Sequence, residues 1–204
     1  MTLDLFDNQP GIGRNLLPRD GEAIYLGCVF TPAEADQMQA ELLQEIEWRQ
    51  DQAVIFGKTI VTRRKVAWYA AQPYSYSYSG TTKIALAWTA LLLNINHRVG
   101  ALCQTSFNAC LLNLYQSGDE GMAWHSDAEK ELKPQGVVAS VSFGARRRFQ
   151  FRHKQTKELV SVWLDHGSVL VMKGAIQSHW LHCLPKAAAV KAPRINLTFR
   201  QMNG

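Results

Sequence analysis

From residue 107 to residue 200 the chain is a series of short apolar stretches interrupted at close intervals by Gly, Asp, Lys and Pro. Seven stretches read as strands: FNACLLNLY (107–115), GVVASVSFG (136–144), RRFQFRH (147–153), ELVSVWL (158–164), SVLVMKG (168–174), SHWLHCL (178–184) and RINLTFR (194–200). Strands this short and this closely spaced predict an antiparallel barrel or a double-sheet jelly roll. The closing strand alternates completely. Arg194, Asn196, Thr198 and Arg200 fall on one face and Ile195, Leu197 and Phe199 on the other.

Ahead of this region the pattern changes. EAIYLGCVF (22–30) reads as a strand, and Thr31-Pro32-Ala33-Glu34 opens a helix with a capping threonine, a proline at its first position and a glutamate completing the box. That helix is predicted to run to about Trp48. A second is predicted over roughly 82–98, with Ile84, Trp88, Leu91, Leu92 and Ile95 at core spacing and Gly100 as its stop. Residues 1–20 read as a peripheral arm, whose GIG lacks the third glycine and the preceding strand of a dinucleotide fingerprint. No repeat, low-complexity run or linker divides the chain. The reading is one α+β domain over 1–204, with a jelly-roll core at 105–201.

Hydrophobic residues make up 47% of the chain and charged residues 19%, as in ordinary globular proteins. No apolar run is long enough to cross a bilayer, and MTLDLFDN is neither basic nor apolar enough for a signal segment. The expectation is a cytoplasmic monomer with no membrane partner. The four cysteines, Cys28, Cys103, Cys110 and Cys183, are scattered and form no C-x-x-C pair, so reduced, mostly buried thiols are expected. A net charge of +5 and a pI near 9.1 permit a polyanionic partner.

Residues 50–80 have a character of their own. AVIFGKTIVTRRKVAWYA suggests a hairpin around Phe56-Gly57-Lys58 followed by the basic Arg63-Arg64-Lys65, and QPYSYSYSG spaces Tyr74, Tyr76 and Tyr78 at period two. Aromatic rings beside positive charge suit nucleobases and phosphates. An edge strand packing its aromatic face on the core accounts for the pattern equally well.

The chemistry concentrates at His125-Ser126-Asp127. On an extended segment these two donors point the same way, supplying two-thirds of the 2-His-1-carboxylate set that leaves positions open on a non-haem Fe(II). Four histidines follow: His153, His166, His179 and His182. The first two read as solvated. His179 and His182 share a predicted strand at a separation of three, so only one can face the barrel interior. On the closing strand the arginine face either lies in solvent, as in the usual half-buried strand, or turns into a jelly-roll interior, where guanidinium forks would grip a dicarboxylate.

Asn113-x-Tyr115, His125-Ser-Asp127, His182 and RINLTFR at 194–200 together resemble the AlkB family of Fe(II)- and 2-oxoglutarate-dependent dioxygenases. The likeness spans about residues 54–201. It extends to ASVSFGARRRFQFRHK and to HWLHCLPK…APRINLTFR, and is nearest to the branch that repairs double-stranded DNA. The resemblance implies a double-stranded β-helix with N-terminal helices packed on one sheet, and a nucleotide-recognition hairpin lid at 50–80. It implies that His125, Asp127 and His182 bind iron, His182 being chosen because the family histidine stands twelve residues before the first arginine of the closing strand. It further implies that Asn113, Tyr115, Arg194, Asn196, Thr198 and Arg200 hold 2-oxoglutarate, with Arg194 and Tyr115 at the distal carboxylate and Arg200 and Asn113 nearer the metal. Glu129 would meet the damaged base, Tyr78 would stack on it with Tyr76 alongside, Phe56 would fill the gap left in the duplex, and Arg63 and Arg64 would lie near the DNA strand. Two positions depart from the family pattern: Arg148 replaces an acidic residue and Tyr78 a phenylalanine.

The implied activity is oxidative dealkylation of bases such as 1-methyladenine and 3-methylcytosine. It would consume dioxygen and 2-oxoglutarate, release formaldehyde and succinate, and act on DNA at the nucleoid or nucleus. Two alternatives use the same residues. One is a dioxygenase of the same fold acting on RNA or a protein side chain; the other is a non-catalytic metal-binding jelly roll.

Overall fold

A computed structural model describes residues 12–55, 58–78 and 81–203, leaving aside the side chains of 52–60 and 75–83. Strands β1 (Glu22–Cys28), β2 (Arg49–Ile55), β3 (Lys58–Ala70), β6 (Leu86–Ala87), β7 (Ala109–Tyr115), β9 (Val138–Gly144), β12 (Ser168–Lys173) and β14 (Arg194–Arg200) form a large sheet. Its order is β1-β12-β9-β14-β7-β3-β2, with β6 beside β3. A smaller sheet runs β11 (Leu159–Leu164), β10 (Arg147–His153), β13 (Trp180–Leu184), β8 (Met122–His125). Apart from the short β3–β6 contact, every pairing is antiparallel. This is the jelly roll that the short, close strands predict.

Two helices, α1 (Pro32–Glu45) and α2 (Ala90–Cys103), cover the outer face of the large sheet. Leu42, Leu92, Ile95 and Val99 meet Leu112, Leu114, Val141, Phe143, Ile195, Leu197 and Phe199 there, all at 2% exposure or less. Each such side chain contributes about 1.5–3 kcal/mol over its exposed state. Because the apolar half of β14 is spent on the helices, its polar half must face inward, between the sheets.

Several boundaries differ from the sequence reading. The capping box of α1 forms as predicted, but the helix ends at Glu45. Ile46 turns extended, and the Trp48 indole folds back to donate to the Leu42 carbonyl at 3.1 Å. Residues 82–98 are not one helix. Thr81–Ile84 forms β5, paired with β4 (Ser75–Tyr78), and α2 begins only after Thr89, whose side chain accepts from Leu92 N. Gly100 lies inside α2, where an added Cβ would stand 2.7 Å from Thr105 O, and Gln104 in left-handed conformation ends the helix. The arm at 12–20 is packed rather than peripheral: Leu17 is buried, and Asn15 Oδ1 accepts from Leu17 N and Ala23 N. The 50–80 segment is continuous with the large sheet, because Lys65–Ala70 of β3 pairs with β7.

Candidate active site

His125 on β8 and His182 on β13 are direct partners in the smaller sheet, their rings 4.3 Å apart and facing the gap between sheets. The strand ends at His125, so alternation alone does not bring in Asp127. A turn does so, held where Asp127 N donates to Gln177 Oε1 at 2.9 Å. Asp127 Oδ1 then lies 3.8 Å from His125 Nε2 and 3.9 Å from His182 Nε2, and one donor atom from each residue falls within 4.8 Å of the others.

The protonation states suit a cation. His125 Nδ1 lies 2.8 Å from the Ala123 carbonyl, which can only accept, so Nδ1 carries a proton there and Nε2 is the nitrogen turned toward Asp127. Burial, reinforced by His125, pulls His182 down to about 3, so it is neutral at physiological pH. Burial alone would raise Asp127. Arg200, donating to Oδ1 at 3.0 Å, outweighs it, and the carboxyl stays below its ordinary value. A neutral His182, the His125 imidazole and a fixed carboxylate therefore converge in the pocket.

One wall of that pocket is the polar face of β14. Arg194 stands opposite Tyr115 on β7 and Gly144 on β9, and Asn196 opposite Asn113 and Ser142. Asn196 donates to Ser140 Oγ and Val141 O, and Thr198 donates to Asn196 Oδ1, so these two are mutually satisfied. Arg194 is different. It is 2% exposed, donates among the described residues only to Ser142 Oγ at 2.9 Å, lies over the Tyr115 ring at 5.6 Å, and leaves its Nε without a hydrogen bond. Burial lowers it to about 10 against the opposing pull of Tyr115, so it remains charged. Asn113 Oδ1 is also buried without a partner. Buried polar groups left over in this way call for a ligand, and a dicarboxylate reaching from the His-Asp-His cluster toward Arg194 fits them.

Across the pocket lie Glu129, Met122, Trp68, Asp51 and Arg64. Arg64, expected near the DNA strand, is 6% exposed and ion-paired with Asp51 in the pocket wall, while Arg63 is exposed. Phe56 lies outside the described residues, as do the side chains of Tyr76 and Tyr78, whose backbone belongs to β4. Tyr74 packs beside Trp68 and Ala70.

The other histidines depart from expectation. His179 ends the short helix α3 (Ile176–His179) before β13 begins, so it shares no strand with His182. His153 is buried, not solvated, and sits with Asp20 and His179 in a second cluster of possible metal donors. Its Nδ1 accepts from Gln155 N and Thr156 N, so Nε2 bears the proton and donates it to Asp20 at 3.1 Å. That nitrogen has no lone pair for a metal, and the cluster ties the N-terminal segment to β10. His166, half-buried, accepts from Gly144 N.

Asp51, Gln177 and Arg147 escaped the sequence reading. Arg147 could have been found: it alternates with Phe149 and Phe151 on the inward face of β10. Asp51 and Gln177 carry no sequence signal, since their burial depends on neighbours far along the chain.

The family model described as the 2OG-Fe(II) oxygenase superfamily matches residues 22–200. The chain belongs to that superfamily. It is accordingly an Fe(II)- and 2-oxoglutarate-dependent dioxygenase, and His125, Asp127 and His182 form a group that could hold its metal ion. Within the superfamily it is 40% identical over 185 residues to the DNA oxidative demethylase ALKBH2 of Mus musculus, covering 85% of this chain and 77% of that protein. The Homo sapiens ALKBH2 is 38% identical over the same share of this chain and 71% of its own length. The Homo sapiens alpha-ketoglutarate-dependent dioxygenase alkB homolog 3 is 36% identical over 82% of this chain, which spans 61% of that relative. Among solved structures, that of OsALKBH1 superposes with a TM-score of 0.61 over 91% of this chain and all of that one, at 16% identity, a likeness of fold. No helix among the described residues is long and apolar enough to cross a membrane.

Proposed function

We propose that this dioxygenase is a DNA oxidative demethylase, removing alkyl groups from the ring nitrogens of bases such as 1-methyladenine and 3-methylcytosine. The observation that carries the reading is the pocket itself. A His125-Asp127-His182 cluster lies between a buried, underpartnered arginine on one side and a mixed-charge wall of Asp51, Arg64 and Glu129 on the other. The relatives named as DNA oxidative demethylases supply the substrate class.

In this reading His125, Asp127 and His182 hold Fe(II). Arg194, with Tyr115 beside it, grips the distal carboxylate of 2-oxoglutarate. Asn113 and Arg200 serve the metal end, and Asn196 and Thr198 complete the wall. Iron with 2-oxoglutarate and dioxygen supplies the power to hydroxylate an N-linked methyl carbon, which leaves as formaldehyde while the cosubstrate becomes succinate and carbon dioxide. The chain's own work is placement. Arg200 keeps Asp127 ionised and aimed, the Ala123 carbonyl fixes the His125 tautomer, and the two sheets keep bulk water from the reacting centre. Glu129 accepts from the amino group of the base. Tyr76, Tyr78 and Phe56 serve a base swung out of the duplex, whose damaged pairing edge lowers the cost of unpairing.

The test is to load the protein with Fe(II) without oxygen, then add oxygen, 2-oxoglutarate and a duplex carrying one 1-methyladenine. Succinate and formaldehyde in equal amounts, with adenine restored, are expected. Succinate without formaldehyde would reject DNA bases as substrate and send the search to RNA or protein.

A further inference from the structure

We infer that Gln177 and Lys154 are positioning residues for the metal centre: Gln177 holds the turn that carries Asp127, and Lys154 holds Gln177. The inference rests on the reading of His125, Asp127 and His182 as the iron ligands, and adds to it two residues that touch neither the metal nor the substrate.

Asp127 is the member of the cluster that most needs such help. His125 and His182 are paired across β8 and β13, so the sheet itself fixes both. Asp127 lies two residues beyond the end of β8, where no strand pairing supports its backbone. Arg200 meets the carboxylate, but the chain behind the carboxylate is tied by a different contact. Asp127 N donates to Gln177 Oε1 at 2.9 Å, fifty positions along the sequence. A backbone N–H needs an acceptor, so the Gln177 amide must turn its oxygen to Asp127. Its Nε2 then points away, buried and without a partner. An amide kept in place with half its bonding capacity unused is there for the other half.

Gln177 is itself poorly supported by local structure. It sits in α3, a single four-residue turn with no side-chain cap, and one turn of helix does not hold its shape alone. Two neighbours hold it. Ile176, 1% exposed, packs in the cluster of Tyr25, Phe151 and Trp180. From the other side comes Lys154, the first residue after β10. Its backbone N donates to His179 O at 2.8 Å, and its Nζ donates to Gln177 O at 2.8 Å and reaches Ser126 Oγ at 3.4 Å. Lys154 thus grips α3 twice and also touches the residue between His125 and Asp127. Its position is fixed in turn by His153, which is buried and donates to Asp20.

The charge of Lys154 separates position from attraction. Among the described residues its ammonium meets neutral oxygens and no carboxylate. A positive charge beside a site for a cation opposes binding of that cation. Whatever Lys154 contributes to metal binding is therefore geometric.

The experiment titrates the metal-free full chain with Mn(II), following loss of the free-ion EPR signal, and records the melting temperature of each metal-free protein alongside. The variants are Gln177→Met, Gln177→Glu, Lys154→Met and the Gln177→Met/Lys154→Met double. Contacts that support metal ligands are typically worth about 10- to 100-fold in affinity, so Gln177→Met should raise the Mn(II) Kd by about tenfold or more. Gln177→Glu keeps an oxygen within reach of Asp127 N and should bind at least as tightly as wild type, to within about threefold. Lys154→Met should bind more weakly than wild type, and adding it to Gln177→Met should change Kd by less than about threefold, the path to Asp127 being already cut. An unchanged Kd in Gln177→Met with a lowered melting temperature would make Gln177 a strut of the fold and overturn the inference. So would a Gln177→Glu as weak as Gln177→Met. Tighter binding by Lys154→Met, or losses that add in the double variant, would overturn the part given to Lys154. Should Gln177→Met not fold, the direction of the change in Lys154→Met decides. His125→Ala is the control: if it binds Mn(II) as tightly as wild type, the ligand reading itself is wrong, whatever the Gln177 variants show.

Discussion

At the scale of single residues, the pocket is a set of charges whose partners are uneven. Arg200 is matched to Asp127 and Arg64 to Asp51, each at close range. Arg194 has a hydroxyl and an aromatic face but no carboxylate among its described partners. Hydrogen bonds to charged groups contribute about 1.5–3 kcal/mol, so Arg194→Met should raise KM for 2-oxoglutarate by about 10- to 100-fold. At saturating cosubstrate kcat should move far less. Arg194→Lys should recover only part, because an ammonium cannot form the bidentate contact. Steady-state kinetics with varied 2-oxoglutarate would check this, and an unchanged KM would place the cosubstrate elsewhere.

At the scale of elements, the start of α1 is the most clearly encoded feature. Thr31 and Glu34 cap each other, and Arg98 of α2 donates to Glu34 Oε1 at 2.8 Å, joining the two helices that cover the large sheet. The Arg98 hydrogen bond first, then the backbone and hydroxyl of Thr31, hold the Glu34 carboxyl at about 2 instead of 4.5. A folded value below the unfolded one means stability that is fully present above about pH 4.5 and lost as pH falls through about 2. The difference in melting temperature between wild type and Glu34→Gln should therefore be greatest near neutrality and shrink on acidification across that window. Added salt should shrink it too, since the group is exposed. A gap that stays constant from pH 6 to pH 2.5 would contradict the assignment.

At the scale of the whole molecule, the His125-Asp127-His182 cluster depends on how the connections around the smaller sheet are locked. Arg147, 1% exposed, donates to Glu120 O and Pro185 O at 2.8 Å each and to Ser117 O at 3.4 Å. One side chain thus ties the loop entering β8 to the exit of β13, the strands that carry His125 and His182. The same two loops are zipped by Gly118, which has no room for a side chain: a Cβ there would lie 1.8 Å from Ala187 O. Replacing Arg147 with Met leaves three carbonyls without their donor and should cost about 3 kcal/mol or more in urea unfolding. Lys should rescue little of it, one ammonium being unable to span the same three acceptors. A loss below about 1 kcal/mol would show that the loops are held by other means.

What the sequence determined on its own is whatever depends on spacing along one strand or one turn. The strand series, the capping box, the alternation of β14 and the His-x-Asp pair are local, and each was legible. His182 was separable from His179 only through family resemblance, because an unforeseen helical turn at 176–179 removed the periodicity that would have compared them. Helix ends failed where a distant contact overruled local preference: Trp48 reaching back to Leu42, and β5 pairing with β4 ahead of α2. Tertiary structure alone decided which charges meet. Asp127 and Arg200 are 73 positions apart in the sequence, and Asp51 faces Arg64 only because a bulge absorbs extra residues of β3. The physical reason is that an electrostatic partnership depends on distance through space and on burial, and strand order, not sequence order, sets both.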